Sequence, residues 1–525
     1  MATNSEDSSS ARHTMQFYNA ATDLIERNLA VRPEKIAYID DNGSYTFGDL
    51  AGRVNRCAHA LCELGLTLES RIMICLADTI DFPTAFLGAI KAGLVPVAVN
   101  TLLTSGDYDF MLRDSRARAL IVSESLLKVF KPILAGQPFL THLVVSGGSA
   151  SDQPRLAELM ASAKADFSVA PTRPDDACFW LYSSGSTGTP KGTVHVQTSM
   201  VATTELYAKP ILGIEDNDVV FSAAKLFFAY GLGNGLSFPL SVGATTILLA
   251  ERPTPAAVCR ILRQHRPTIF YGVPTLYGAL LASPELPKRE ELNLRRCTSA
   301  GEALPPNVGR KWLEHTGVDI LDGLGSTEML HIFLSNRPGD VRYGTSGKPV
   351  PGYEVRLVGE DGEKVARGEI GELQVNGPSS AAYYWNNREK SRNTFLGAWT
   401  RSGDKYIENE DGYFTYCGRA DDMLKVSGIW VSPFEVEAVL ISHEAVLEAA
   451  VVGHADGNGL IKPKAFVVLR AEISPTPELT AGLQQHVKTN LAPHNYPRWI
   501  EFVPELPKTA TGKIQRFKLR ETTGA

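Results

Sequence analysis

The chain has 525 residues, 44% of them hydrophobic and 21% charged, which suits roughly three or four packing units and excludes a disordered, collagen-like or coiled-coil protein. Lysine plus arginine number 52 against 58 aspartate plus glutamate, a net charge of −6. That slightly acidic balance gives no electrostatic footprint for nucleic acid or an anionic membrane.

The opening MATNSEDSSSARHTM lacks the charged-then-apolar pattern of a signal peptide, so residues 1–14 read as a polar tail. From about residue 20 to 340, helical and strand patterns alternate. Phe47, Leu50, Val54, Ala58 and Leu61 keep helical spacing, and the apolar run RIMICL (71–76) follows as a strand. A helix is expected around 84–92, then strands at VPVAV (95–99), LIV (120–122), CFWLY (178–182), TIFYG (268–272) and VDIL (318–321). Helical windows such as Pro255–Gln264 separate them, and strand alternating with helix argues a layered α/β domain with mostly parallel sheets. The uncharged stretch from Leu226 to Ala250 is broken by Gly231, Gly233, Gly235, Pro239 and Gly243, which favours a buried segment over a membrane span. Near 350 the texture changes: EVRLV (354–358), a turn at Asp361-Gly362 and IGELQV (370–375) read as an antiparallel hairpin. After GRADD (418–422) come a helix from Ser432, the runs AAVVGH and KAFVVL, and a helix near 478–490, a small α+β unit whose boundary falls at 420–422. The seven cysteines, Cys57, Cys62, Cys75, Cys178, Cys259, Cys297 and Cys417, are odd in number and form no CxxC pair. Neither a disulfide framework nor a zinc site is expected, and a cytoplasmic location is.

Three loops carry the chemistry. Ser183-Ser184-Gly185-Ser186-Thr187-Gly188-Thr189-Pro190-Lys191-Gly192 follows the strand CFWLY. Its glycines let backbone N–H groups turn to a ligand, its hydroxyls donate to anionic oxygens and Lys191 supplies charge, the physics of a phosphate cradle. It is not a Walker A loop, because no GK[ST] ends it, and a flexible surface loop is the competing reading. The second loop, Asp322-Gly323-Leu324-Gly325-Ser326-Thr327-Glu328, offers close approach at Gly325, a donor in Thr327 and a hard oxygen ligand for Mg2+ in Glu328. A helix N-terminus capped by Ser326 or Thr327 would use the same residues. The third loop is Ser299-Ala300-Gly301-Glu302. All three are expected along one edge of a doubly wound sheet, where such sheets bind ligands.

With Ser402-Gly403-Asp404, Gly418-Arg419-Ala420-Asp421-Asp422 and Pro507-Lys508-Thr509-Ala510-Thr511-Gly512-Lys513, these segments resemble the adenylate-forming superfamily of acyl-CoA synthetases, peptide-synthetase adenylation domains and luciferases. The resemblance covers most of the chain. It implies a large N-terminal layered α/β domain with an attached β-rich subdomain, residues 15–420, and a small mobile C-terminal α+β domain, residues 421–525. It implies ATP, Mg2+ and coenzyme A. The SSGSTGTPKG loop would hold the ATP phosphates, SAGE (299–302) the adenine, and Asp322, Gly323, Thr327 and Glu328 the nucleotide and its Mg2+. Asp404 and Arg419 would hold the ribose, with Ser402 standing where Thr is more common. Lys513 would catalyse adenylation, Asp421 would be the hinge, and Lys425 and Gly428 would face CoA in the thioester step.

Leu226-Phe227-Phe228-Ala229-Tyr230-Gly231 occupies the superfamily's acyl-pocket motif. Phe228, Ala229, Tyr230, Gly325, His331 and Ile332 are then the expected lining, with Phe227 as ordinary core and His331 read equally well as a satisfied helix histidine. Small residues with flat aromatics suit a short aromatic acid, and KLFFAYGLGNGLSFPL, YGVPTLY and STEMLHIF are most similar to benzoate-CoA ligases. The implied reaction joins an aromatic carboxylate, benzoate foremost, to CoA through an acyl-AMP, releasing AMP and pyrophosphate. An adenylating module serving a carrier protein, a synthetase for another short acyl or aryl acid, a catalytically dead binding relative and a P-loop NTPase are the alternatives. The resemblance also raises a homodimer and a lysine acetyltransferase acting on Lys513 as partners, and no nucleic acid or membrane.

Overall fold

Short apolar runs become strands buried on both faces. In Arg71–Cys75, Ile72 and Ile74 point into one core, while Met73 and Cys75 point into another, the period-two alternation of a central parallel strand. The computed structural model describes residues 17–148, 153–184, 190–426, 429–457, 460–492, 494–508 and 514–522. The expected tail over 1–14, together with Gly185, Ser186, Thr187, Gly188, Thr189, Gly428 and Lys513, lies outside the described residues, as do the side chains of Ser184 and Lys425.

Two large sheets organise the first part of the chain. The first runs, from one edge to the other, Lys348–Pro349, Ile332–Ser335, Ile320–Gly325, Arg296–Ser299, Ile269–Gly272, Val219–Ser222, Thr245–Ile247, Ile36–Asp40 and Gly43–Thr46. It is parallel at its centre and antiparallel at both edges. The second runs Tyr383–Tyr384, Pro190–Val196, Ala177–Ser184, Val95–Ala98, Arg71–Cys75, Ala119–Ser123 and His142–Ser146. Between them lies the largest core, in which Tyr38 of the first sheet and Ile74, Phe179 and Leu181 of the second meet the helices Phe47–Glu63 and Asp81–Lys91. Each large apolar side chain so buried contributes about 1.5–3 kcal/mol. On the far face of the first sheet, Phe221, Phe270, Cys297 and Ile320 pack under the helices Pro255–His265, Pro274–Ala282 and Pro306–Thr316. On the far face of the second, Met73, Val97 and Trp180 pack under Tyr108 and Phe130 of Ser105–Ser115 and Leu127–Leu134. The result is helix, sheet, helix, sheet, helix, the layered α/β class expected.

An antiparallel sheet of Glu354–Val358, Ile370–Asn376, Trp399–Glu408, Phe395–Leu396 and Phe414–Arg419 follows. Its Leu357, Leu373, Val375 and Tyr406 share a core with Phe333 and Leu334 at the edge of the first sheet. Beyond it, Leu424–Val426 pairs with Ile429–Val431, and Val446–Ala455, Ile461–Leu469 and Trp499–Phe502 form a separate sheet against the helices Pro433–Ser442 and Pro477–Asn490. Ser432 caps Pro433–Ser442: its oxygen accepts from the Glu435 N–H at 3.1 Å, and its hydroxyl donates to the Cys417 carbonyl. Among the described residues no helix is long and apolar enough to cross a membrane. The stretch Leu226–Ala250 is short helical turns and the strand Thr245–Ile247, largely buried.

Two expectations are corrected. Asp322-Gly323-Leu324-Gly325 is not a loop: the strand begins at Ile320, two residues later than expected, and runs to Gly325. Glycine and aspartate are poor strand formers, but pairing on both sides overrides that preference, parallel to Arg296–Ser299 as far as Asp322 and antiparallel to Ile332–Ser335 from Gly323. Nor do the three loops share one sheet. Ser183 and Lys191 face each other on antiparallel strands of the second sheet, whereas Ser299–Glu302 and Asp322–Glu328 lie on and just after strands of the first.

Candidate active site

The site is built where the two sheets meet. In the hairpin Ala177–Ser184/Pro190–Val196, Ser183 stands opposite Lys191. Ser183 Oγ is buried without a hydrogen-bond partner among the described residues. Lys191 Nζ lies 5.2 Å from the centre of the Tyr384 ring, a cation–π contact. Burial lowers the Lys191 pKa, Glu328 and Asp421 pull it up, and Lys390 and Arg419 push it down, so these charges share one field. Tyr384 comes from a two-residue strand that pairs with Pro190–Val196. Its hydroxyl donates to Glu328 Oε1 at 2.7 Å, and the Ala381 N–H donates to the Glu328 carbonyl at 2.7 Å. His195, fully buried and stacked on Phe179 with ring centres 5.2 Å apart, lies with Nε2 2.8 Å from the Thr327 carbonyl. Burial pushes its pKa down to about 4, so a neutral imidazole donates Nε2–H there. Thr327 and Glu328 are thereby tied to the hairpin. They start no helix: Ser326–Ser346 contains the strand Ile332–Ser335 and turns, so the helix-capping alternative fails.

The expected nucleotide side lies along the strand ends. Ser299 pairs in register with Asp322, and Ser299 and Ala300 are buried, while Gly301 is exposed with φ +94°. Glu302 accepts from Thr275 Oγ1 at 2.9 Å. Burial raises the Asp322 carboxyl to about 8, and Gly323 begins the antiparallel pairing with Ser335. Asp404 and Arg419 are cross-strand partners. Arg419 Nη1 donates to Asp404 Oδ1 at 3.1 Å and to the Ser402 carbonyl at 3.3 Å, and the Asp404 charge holds the guanidinium pKa above its ordinary value. Asp421 sits in the exposed turn that follows, closed by Asp422 and Met423 N–H groups donating to the Arg419 carbonyl. Lys425 is on the strand Leu424–Val426. Lys508 and Ile514 bridge each other antiparallel.

The expected acyl-pocket residues lie at the boundary of two cores. Phe228 and Ala229 pack against the core between the sheets, and Tyr230 and Ile332 belong with the one beneath the antiparallel sheet. Phe227 is buried core, as expected. His331 is not on a helix; it immediately precedes the strand Ile332–Ser335. It is 2% exposed, and the rings of Phe238, Tyr207 and Tyr230 surround it at 4.5, 5.4 and 5.5 Å. Burial pushes its pKa down to about 3, so it is neutral and its Nε2 donates to Asn234 Oδ1 at 3.1 Å. Tyr230 Oη and Thr298 Oγ1 are 2.6 Å apart. Gly325 permits close approach of backbone: a Cβ there would stand 2.7 Å from the His331 carbonyl oxygen. Tyr384, His195, Asn234 and Thr298 were not among the sequence candidates, since each meets its partner across at least 56 residues.

For Mg2+, the described residues contain no group of three or more His, Cys, Asp or Glu able to hold a metal. Glu328 offers one carboxylate, oriented by Tyr384. That donor set fits Mg2+ carried on nucleotide phosphates with its waters, which needs only one or two carboxylates, and does not fit an all-protein cage.

Comparison with known proteins accounts for this arrangement. The family described as AMP-binding enzyme matches residues 25–385, and its C-terminal domain matches residues 435–513. A benzoate–CoA ligase of Thauera aromatica is 65% identical over 506 residues, 96% of this chain and 96% of that protein. The crystal structure of a benzoate CoA ligase from Burkholderia xenovorans LB400 superposes with a TM-score of 0.90 at 57% identity, covering 96% of this chain and all of that one. That of an anthranilate CoA ligase in complex with anthranoyl-AMP gives 0.91 at 44% identity, covering 97% of each. A layered α/β body followed by a small α+β unit is the architecture in which these matches fall, and the chain belongs to the AMP-binding enzyme family, among the adenylate-forming acyl-CoA synthetases.

Proposed function

We propose that the protein ligates benzoate to coenzyme A: benzoate and ATP give benzoyl-AMP and pyrophosphate, and benzoyl-AMP and CoA give benzoyl-CoA and AMP. The observation that carries this is the 65% identity to a benzoate–CoA ligase along 96% of the chain. A carboxylate resists nucleophiles because it is anionic and would have to expel oxide. One carboxylate oxygen therefore attacks the α-phosphorus in line as the bond to pyrophosphate breaks; the CoA thiolate then attacks the acyl carbon and AMP leaves. Neither step needs covalent help from the protein, only positioning and charge neutralisation.

Ser183 and Lys191, with the loop between them, orient the phosphates. Ser299, Ala300, Gly301, Glu302, Asp322 and Gly323 line the base, and the Asp404–Arg419 pair takes the ribose. Glu328 would hold Mg2+, which supplies neutralisation of the phosphate charge when bound. Lys513 brings a cation between carboxylate and α-phosphate. Phe228, Ala229, Tyr230, Gly325, His331 and Ile332 enclose the ring. For the second step the small domain turns about Asp421 and presents Lys425 and Gly428 to the thiol. The domain boundary at 420/421 is supported by the sheets: Phe414–Arg419 still pairs with Trp399–Glu408, whereas Leu424–Val426 starts a new hairpin. Acetylation of Lys513 would remove its charge; that control and a homodimer rest on the family resemblance, and a cytoplasmic location rests on the cysteine usage. A panel of aryl and aliphatic acids with ATP, Mg2+ and CoA tests the reading. AMP release should be fastest with benzoate, and preference for an aliphatic acid, or release of ADP, would overturn it.

A further inference from the structure

The segment that carries Phe228 is held from both sheets at adjacent residues. Both carboxylate oxygens of Asp78, in the loop after Arg71–Cys75 of the second sheet, lie 3.3 Å from the Leu226 N–H nitrogen. Lys225 reaches the opposite way: its Nζ donates to the Leu249 carbonyl and, at 2.7 Å, to the Glu251 carbonyl, just past Thr245–Ile247 of the first sheet. Asp78 is 4% exposed. Burial raises its carboxyl to about 6 while the Lys225 ammonium and the Leu226 N–H pull it down, so it is ionised at neutral pH. From these two anchors the chain turns tightly. The Phe228 N–H donates to the Lys225 carbonyl at 3.0 Å, and a Cβ on Gly231 would stand 2.0 Å from that same oxygen. Phe228, Ala229 and Tyr230 therefore inherit their position from Lys225 and Leu226.

Burying the Asp78 carboxylate costs desolvation that its attraction to the Lys225 charge offsets only in part, so this arrangement is a poor source of stability. What it supplies here is direction. We propose that Asp78 and Lys225 are positioning residues for the aryl-acid pocket, fixing from two sheets the backbone that presents Phe228 and so the width of the pocket on that side. This rests on the reading of Phe228, Ala229 and Tyr230 as pocket lining.

The test is steady-state kinetics on the full-length enzyme for Asp78→Asn, Lys225→Met, the double variant and Phe228→Ala, with thermal unfolding of each. Either single variant should raise KM for benzoate about tenfold, leave KM for ATP and for CoA within about twofold and kcat within about threefold. Preference for benzoate over a methyl-substituted benzoate should fall about fivefold. The double variant should be no worse than the singles, since the two act as one brace. The proposal is overturned if KM for benzoate and for ATP rise together, if kcat alone falls, if nothing changes, or if neither single variant yields folded protein, which would make the pair structural only. A Phe228→Ala variant with unaltered benzoate KM removes the pocket reading itself. If Phe228→Ala alters that KM and the pair variants do not, only the positioning role is lost.

Discussion

Glu328 could be singled out from its chemistry alone, as a carboxylate after a glycine-rich segment, and Lys191 likewise, whereas Asp404 was a candidate only through the family resemblance. Tyr384 could not, because it sits in a two-residue strand and meets Glu328 across 56 residues, where no local pattern reaches. Its 2.7 Å bond to Oε1 orients the carboxylate proposed to hold Mg2+, and its ring lies under Lys191. Tyr384→Phe keeps the ring and removes the hydrogen bond, which to a charged acceptor is worth about 1.5–3 kcal/mol. Benzoate-dependent pyrophosphate exchange should fall about ten- to a hundredfold, while CoA transfer from supplied benzoyl-AMP changes by less than about threefold. Equal losses in the two assays would place Tyr384 outside the adenylation chemistry.

Among the elements, apolar runs such as Arg71–Cys75 and Ala119–Ser123 were legible because parallel strands buried on both faces read as continuous hydrophobic sequence. Ile320–Gly325 was legible only at its apolar start. Its glycines make room for a neighbouring strand, so a composition that locally signals a loop serves a tertiary contact instead. The hairpin strand Pro190–Val196 shows a related effect, since its buried His195 ties it to Thr327 of the other sheet. Burial lowers that histidine's pKa from 6.5 to about 4. The unfolded chain therefore takes up the proton first, and the stabilisation present above pH 6.5 is lost as pH falls toward 4, roughly 3 kcal/mol in all. Unfolding midpoints followed by fluorescence should drop across that range, and drop less in His195→Gln, whose stability at pH 7 starts lower. Parallel pH curves for the two proteins would remove His195 from the acid response.

At the scale of the whole molecule, the order of motifs announced the superfamily, yet it carried no information on which sheet each strand joins. The phosphate-loop candidate therefore turned up on the second sheet rather than beside the other two loops. Bringing it to them takes the seam of His195, Tyr384 and Ala381 contacts with Thr327 and Glu328. The proposed mechanism takes one more component, Lys513, from the far end of the chain. Lys513→Ala should abolish most pyrophosphate exchange, by about a hundredfold or more, and spare CoA transfer from benzoyl-AMP; equal loss of both would remove its assigned role. The chemistry itself is tested most directly with benzoate labelled with oxygen-18 in its carboxylate, reacted with ATP and CoA and read by mass spectrometry of the nucleotide. One labelled oxygen should appear in AMP and none in pyrophosphate, because the oxygen that attacks the α-phosphorus leaves with it. Unlabelled AMP alongside benzoyl-CoA would mean that no acyl-adenylate was formed.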